Sequence, residues 1–144
     1  IKEVIKELNQ DFNIILFGGG KKEELILDEI AGEYINVINL ANKYSLDQEM
    51  DVISNLSIMV SMDSANGHIA ASLGIKVLTI WGVTHPFAGF GPYGQQDQNN
   101  ILVDRSKYPK IPTSIYGEKL PKGYENAISS ISSVEIISVL RTSV

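Results

Sequence analysis

One stretch constrains this chain more than any other: Met62-Asp63-Ser64-Ala65-Asn66-Gly67-His68-Ile69-Ala70-Ala71-Ser72-Leu73-Gly74. It follows an apolar run, Ser57-Ile58-Met59-Val60-Ser61, that reads as a buried strand. It leads into Ile69-Ala70-Ala71-Ser72-Leu73, which reads as a short buried helix, and a second apolar run from Lys76 to Trp81 reads as the next strand. Asp63, Ser64 and His68 therefore fall at a strand-to-helix turn on the carboxyl edge of a parallel sheet, the edge where open α/β sheets bind their ligands. The first turn of a helix offers unpaired N–H groups that suit phosphate. Polar residues crowded between two buried elements point to a nucleotide-type ligand.

The rest of the chain supplies the frame for that turn. Ile1, Val4, Ile5 and Leu8 recur at helical spacing. A strand is expected over Phe12–Phe17, closed by Gly18-Gly19-Gly20, and then a helix from Glu23 to Ile30 with Leu25, Ile26 and Ile30 on its inner face. Tyr34–Leu40 reads as a strand. Leu46–Leu56 reads as a helix, with Ser45 as N-cap and Gln48 three residues on in capping-box position. Strands alternating with helices of this length imply βαβ units with right-handed crossovers. Ser57–Ser61, apolar on both faces, is expected in mid-sheet between Val77–Trp81 and one of the earlier strands. Gly82 to Asn100 is a long loop rich in glycine, proline and aromatic residues, and loops of that length in compact domains are usually functional. Ile101-Leu102-Val103 fits one more strand, Asp104 to Tyr124 reads as irregular, and Val134–Leu140 closes the chain as a helix capped by Ser132 or Ser133.

Composition removes several classes of function. A net charge of −5 argues against a nucleic-acid groove, which needs a basic face. The absence of cysteine excludes a disulfide framework and a thiolate metal site, and His68 and His85 are too few to form a metal site of their own. No apolar run approaches the roughly 20 residues of a membrane span. The chain opens on a helix, whereas a βαβ domain normally opens on a strand. A first strand and its loop are therefore expected upstream of Ile1, together with anything further upstream.

With these residues in hand, the chain resembles the carboxyl-terminal domain of a family-nine glycosyltransferase, the family of the ADP-heptose:lipopolysaccharide heptosyltransferases. That family carries an Asp-Thr-Gly-x-x-His turn and an Ala-rich helix, matched here by Asp63-Ser64-Ala65-Asn66-Gly67-His68 and Ile69–Gly74. Its Phe/Tyr-Gly-Pro-Thr-Asp-Pro element is matched by Trp81-Gly82-Val83-Thr84-His85-Pro86, and its Gly-Pro-Tyr-Gly element by Gly91-Pro92-Tyr93-Gly94. Upstream, Phe17-Gly18-Gly19-Gly20-Lys21-Lys22-Glu23-Glu24 matches the family's strand, glycines and acidic residues. The ordered set spans most of the chain and is far more specific than any one piece.

The resemblance implies a Rossmann-like three-layer α/β domain with a central parallel sheet, the carboxyl-terminal half of a GT-B enzyme. Residues 1–144 would form the donor-binding domain. The acceptor domain, with the catalytic base, would lie outside this chain, so no catalytic residue is expected within it. The implied reaction is inverting glycosyl transfer from an ADP-sugar to a lipopolysaccharide-type acceptor, with no cofactor and no metal. The implied setting is the cytoplasm, at the inner face of the cytoplasmic membrane, with peripheral membrane association.

Among the residues, the resemblance implies that backbone N–H groups of Ser64, Ala65 and Asn66, with the Ser64 hydroxyl, meet the diphosphate. It places Asp63 by the donor sugar, where a carboxylate can accept from hydroxyls; the competing role is an N-cap. It gives His68 a contact with sugar or diphosphate, against an ordinary packing role. It gives Glu23 or Glu24 the ribose hydroxyls, spacing favouring Glu24, against plain helix-dipole stabilisation. Tyr44 falls where the family flanks the base, and Thr84 and His85 either line the sugar end or form a turn before Pro86. Lys107, Lys110, Lys119 and Lys122 read as solvated surface.

Three departures stand out. Ala65 replaces a glycine, while Val83 and His85 replace proline and aspartate. In the late loop, Leu120-Pro121-Lys122-Gly123-Tyr124-Glu125-Asn126-Ala127-Ile128 keeps the rhythm of the family's Cys-Pro-x-Gly-x-x-x-Cys-Met pattern without either cysteine. Two other readings stay open at this point: a GT-B-shaped UDP-sugar epimerase, and a catalytically degenerate binding module.

Overall fold

The computed structural model describes residues 1–116 and 118–144. The chain divides into two compact units, Ile1–Val52 with Ser133–Thr142, and Ile53–Ser132 with Ser143–Val144.

In the first unit, α1 (Lys2–Leu8), β1 (Ile14–Leu16), α2 (Lys21–Gly32), β2 (Val37–Asn39) and α3 (Leu46–Ile53) alternate as expected, and α5 (Ser133–Ser143) returns to the same unit. β1 and β2 pair in parallel, with Ile14 opposite Val37 and Leu16 opposite Asn39. Ile5 of α1, Ile30 of α2 and Val37 of β2 form the core, with Ile14, Leu16, Leu27, Ala31 and Tyr34 packed against it. The inner face of α2 is therefore Leu27, Ile30 and Ala31, at the i, i+3, i+4 spacing of one helical face. This corrects the expected inner face: Leu25 and Ile26 are 63% and 46% exposed. Apolar residues fill most of the helix middle, so composition alone did not fix its phase. Arg141 of α5 pairs with Asp11 at 2.9 Å, and Ser133 Oγ donates to Glu3 at 2.8 Å.

α3 begins as its sequence dictates. The Ser45 N–H donates to Gln48 Oε1 at 3.0 Å, and the Gln48 N–H reaches Ser45 Oγ at 3.4 Å. This reciprocal capping box stabilises a helix start by about 1 kcal/mol.

The second unit is a three-stranded parallel sheet in the order β3-β4-β5, with β3 at Met59–Ser61, β4 at Val77–Trp81 and β5 at Asn100–Leu102. α4 (Ala65–Ser72) crosses between β3 and β4 and packs on both. β4 holds the centre, and all five of its residues are buried. Among the described residues β3 pairs with β4 alone, which corrects the expectation that Ser57–Ser61 lies in mid-sheet. A short strand covered on its faces reads as apolar whether it is central or terminal in the ladder. Trp81 is buried, and its Nε1–H donates to Asn100 Oδ1 at 2.7 Å, tying β4 to β5.

After β4 the chain forms short 3-10 turns at Pro86–Ala88 and Asp97–Asn99 within the expected long loop. Beyond β5, Val103, Ile111 and Ala127 form a second core, with Val83, Tyr108, Tyr124 and Ile131 against it. Tyr108 and Tyr124 meet edge to face at 5.2 Å, and Tyr124 Oη accepts from the Lys110 N–H at 3.1 Å. Apolar packing around the fully buried Ala127 thus holds this late segment.

Candidate functional site

The second unit gathers its candidate residues at the carboxyl ends of β3 and β4. β3 ends at Ser61, and the chain turns through Met62, Asp63 and Ser64 into α4. Asp63 has φ of 50°, in the left-handed region that few non-glycine residues other than Asn and Asp adopt readily. Its Oδ2 accepts from Thr84 Oγ1, 3.1 Å away on the loop after β4. Asp63 is thus not the helix cap: that position falls to Ser64, with extended backbone at φ −121° and ψ 160°.

Ser64 caps by position only. Its side chain makes no bond to the first-turn N–H groups of α4 and lies instead 3.1 Å from Ser61 Oγ, which also accepts from the Ser64 N–H at 3.4 Å. The Gly67 N–H turns back to the Ser64 carbonyl at 3.1 Å. The N–H groups of Ala65 and Asn66, which have no partner within a helix, are left at the positive end of its dipole. Ala65 lies in α4 with helical backbone, so an alanine fits this position without strain. His68 is exposed in the same first turns.

Gly67 sets how closely α4 sits on β3. A Cβ there would stand 2.5 Å from Ser61 Oγ and 2.8 Å from Ser61 Cβ, closer than carbon atoms tolerate. The glycine lets the turn lie directly on the strand end.

Thr84 and His85, adjacent in sequence, do different things. Thr84 faces Asp63. His85 is 3% exposed and caps the 3-10 turn Pro86–Ala88, its Nδ1 accepting from the Phe87 N–H at 3.1 Å. Burial, and secondarily the nearby Arg105 charge, lowers its pKa and keeps it neutral, as an accepting Nδ1 requires. The turn role before Pro86 is the one His85 fills, so replacing the family's aspartate leaves the turn intact.

The first unit carries its own candidates on the loop between β1 and α2. Gly20, at φ 81°, is the N-cap of α2. The Gly19 N–H donates to Glu23 Oε2 at 2.9 Å, which needs a bare Gly18, since a Cβ there would fall 2.9 Å from the Glu23 carboxyl carbon. Glu23 is thereby committed to its own loop. Glu24 instead accepts from Asn42 Nδ2 at 3.1 Å, and it is half-buried. Asn42 also sits at φ 57°, and its role was not visible in the sequence. The one available signal was its residue type, since asparagine is the usual non-glycine occupant of the left-handed region. Tyr44, just before α3, is 51% exposed and outside the core. Lys107, Lys110, Lys119 and Lys122 are all exposed, as expected.

Among the described residues no group of three or more His, Cys, Asp or Glu side chains is gathered to hold a metal, and no helix is long and apolar enough to cross a membrane.

Parallel βαβ units with polar turns at the strand carboxyl ends define a Rossmann-like α/β protein. The chain belongs to glycosyltransferase family 9 (heptosyltransferase), whose family model matches residues 2–119. Lipooligosaccharide heptosyltransferase 2 of Haemophilus influenzae is 32% identical over 85 residues, covering 55% of this chain and 24% of that protein. The protein of the same name from Campylobacter jejuni serotype O:6 is 28% identical over 111 residues, covering 74% of this chain and 35% of that protein. The chain thus spans about a quarter to a third of the curated relatives it matches.

Among solved structures, E. coli heptosyltransferase WaaC with ADP matches 99% of this chain and 38% of its own, with a TM-score of 0.68 and 22% identity. A family 9 glycosyl transferase from Veillonella parvula matches 99% of this chain and 40% of its own, with a TM-score of 0.71 and 19% identity. These likenesses establish the fold as that of GT-B heptosyltransferases.

Proposed function

We propose that the full-length protein is an inverting glycosyltransferase that takes its sugar from an ADP-sugar, ADP-heptose foremost, and passes it to a lipopolysaccharide-type acceptor. Residues 1–144 serve as the donor-binding domain. The acceptor and the catalytic base belong to a further domain. The setting is the inner face of the cytoplasmic membrane, where a nucleotide sugar meets a lipid-borne acceptor.

The observation that carries this reading is the uncapped start of α4 inside a family 9 sequence match. As the glycosidic bond to the diphosphate breaks, negative charge collects on the leaving phosphates. Donors held in place before that happens stabilise the transition state most. The N–H groups of Ala65 and Asn66, the Ser64 hydroxyl and a ring N–H of His68 are such donors. Each charge-assisted bond contributes roughly 1.5–3 kcal/mol. Asp63, aimed by Thr84, accepts from hydroxyls of the transferred sugar. Glu24 accepts from the ribose, and the exposed Tyr44 flanks the base. In this reading the donors to the diphosphate are protein groups and no metal takes part.

The test is calorimetric titration of the full-length protein with ADP and with adenosine, each with and without magnesium. ADP should bind at least about tenfold more tightly than adenosine, one or two charge-assisted bonds' worth, and magnesium should change this little. Equal affinity for the two, or a strict need for metal, would overturn the assignment. Tighter binding of UDP than ADP would favour an epimerase.

A further inference from the structure

Asn42 joins two loops of the first unit. Its Oδ1 accepts from the Gly20 N–H at 3.2 Å, and its Nδ2 donates to Glu24 Oε2 at 3.1 Å. The two bonds fix the amide orientation. Flipping it would set an NH2 against an N–H and an oxygen against a carboxylate.

The backbone at Asn42 is left-handed, with φ of 57°. A non-glycine residue keeps that conformation only when its surroundings hold it there. Both neighbours supply that hold. The Ala41 N–H donates to the side-chain oxygen of the buried Asn39 at 2.9 Å. On the other side, Lys43 Nζ reaches Asp28 of α2 at 2.8 Å, and the same Asp28 carboxylate accepts from Asn39 Nδ2 at 2.9 Å. Asn39 Nδ2 also donates to the Glu24 carbonyl at 3.2 Å. The end of β2 thus grips the first turns of α2 at several points, and Asn42 is the point that touches the Glu24 carboxylate.

The two adjacent glutamates are divided by this arrangement. Glu23 turns to its own loop through the Gly19 N–H. Glu24 is held on one oxygen by Asn42, which leaves the other to accept. A ribose presents two neighbouring hydroxyls, and a carboxylate already fixed in its plane receives them without losing rotamer freedom on binding.

We propose that Asn42 is a positioning residue that orients the Glu24 carboxylate toward the vicinal hydroxyls of a nucleotide's ribose, so that recognition of ribose over deoxyribose depends on it. The proposal rests on Glu24 being the ribose-binding carboxylate. It predicts that removing the amide weakens discrimination between the two sugars without weakening the hold on the rest of the nucleotide.

The experiment titrates ADP and 2′-deoxy-ADP into the full-length protein and into Glu24→Ala, Asn42→Gly and Asn42→Asp. Asn42→Gly keeps the left-handed backbone, which glycine adopts freely, and removes only the amide. Asn42→Asp keeps the shape and replaces the donor facing Glu24 with a like charge. The unchanged protein should prefer ADP by about tenfold, the scale of a hydrogen bond to a charged group, and Glu24→Ala should abolish that preference. Asn42→Gly and Asn42→Asp should each cut it to about threefold or less, with 2′-deoxy-ADP binding held within about twofold. Full discrimination retained in both Asn42 variants, with Glu24→Ala still losing it, would overturn the role of Asn42 alone. Equal loss of both ligands in the Asn42 variants would overturn it too, by making the residue merely structural. A wild-type protein without the preference, or a Glu24→Ala protein that keeps it, would instead remove Glu24 from the ribose and the proposal with it.

Discussion

Thr84 Oγ1 donates to Asp63 Oδ2 across 3.1 Å, joining the turn after β3 to the loop after β4. The two strands are parallel neighbours, with Ser61 opposite Thr79, so their carboxyl ends open side by side. The bond ties the Asp63 carboxylate to the loop after β4. An acid and a helix start without a side-chain cap therefore occupy one turn, with the carboxylate anchored on a hydroxyl.

If that anchor aims Asp63, its loss should reach the sugar rather than the fold. Thr84→Val removes the donor at constant shape and should lower kcat/KM for donor by roughly fivefold, the scale of one hydrogen bond of about 1 kcal/mol. Thr84→Ser should stay within about twofold of the unchanged enzyme. Steady-state kinetics on the full-length protein decide this, and equal effects of serine and valine would sink the idea.

His68 is exposed on α4, so its removal should cost activity and not stability. His68→Ala should reduce turnover at least about tenfold, equivalent to about 1.4 kcal/mol of transition-state stabilisation. Its melting temperature should match the unchanged protein. A large fall in melting temperature with normal turnover would make His68 structural.

Gly67 should tolerate no side chain while Ser61 stands against it. Gly67→Ala places a Cβ 2.5 Å from Ser61 Oγ and should destabilise by roughly 1–3 kcal/mol, the usual cost of overpacking. Adding Ser61→Gly removes both close atoms and should recover most of that loss, measured by urea unfolding of the single and double variants. Additive effects would mean that the clash lies elsewhere.

The turn capped by His85 should weaken in acid. Burial lowers the folded-state pKa below the ordinary value near 6.5, so between the two values the unfolded chain binds more protons. Stability therefore rises with pH through that window. The His85 contribution is fully present above about pH 6.5 and is lost as pH falls toward the folded value. His85→Asn offers the same cap without titrating and should flatten the fall in melting temperature between about pH 7 and 5. Parallel curves for the two proteins would refute the assignment.

Periodicity made the order and type of the main elements legible. The apolar runs at 57–61 and 76–81, the Ser45–Gln48 cap and the glycines after β1 each follow from local chemistry, and each appears where that chemistry puts it. The turn at 62–64 was legible for the same reason, since polar residues crowded between two buried elements must be exposed by a turn at the sheet edge, although the helix begins at Ala65, before the expected Ile69. The phase of α2 was not, because Leu25, Ile26, Leu27 and Ile30 satisfy more than one inner face until β2 and α1 select one. The rank of β3 in its ladder was likewise hidden, because burial from the faces looks the same in sequence as burial from both edges.

The sequence by itself determined that the chain alternates strand and helix, that its polar turn sits at a strand's carboxyl end, and that its ordered motifs belong to glycosyltransferase family 9. These depend on residues near one another along the chain, where turn preference, capping and hydrophobic period act. Only the tertiary structure decided which partner each polar group took. It set Asp63 on Thr84 rather than on the helix start, put His85 into a turn while leaving His68 in solvent, and committed Glu23 to its loop while handing Glu24 to Asn42. A hydrogen bond selects its partner by distance and angle in space. Residues separated by 18 or 21 positions meet only after parallel strands have brought their ends together.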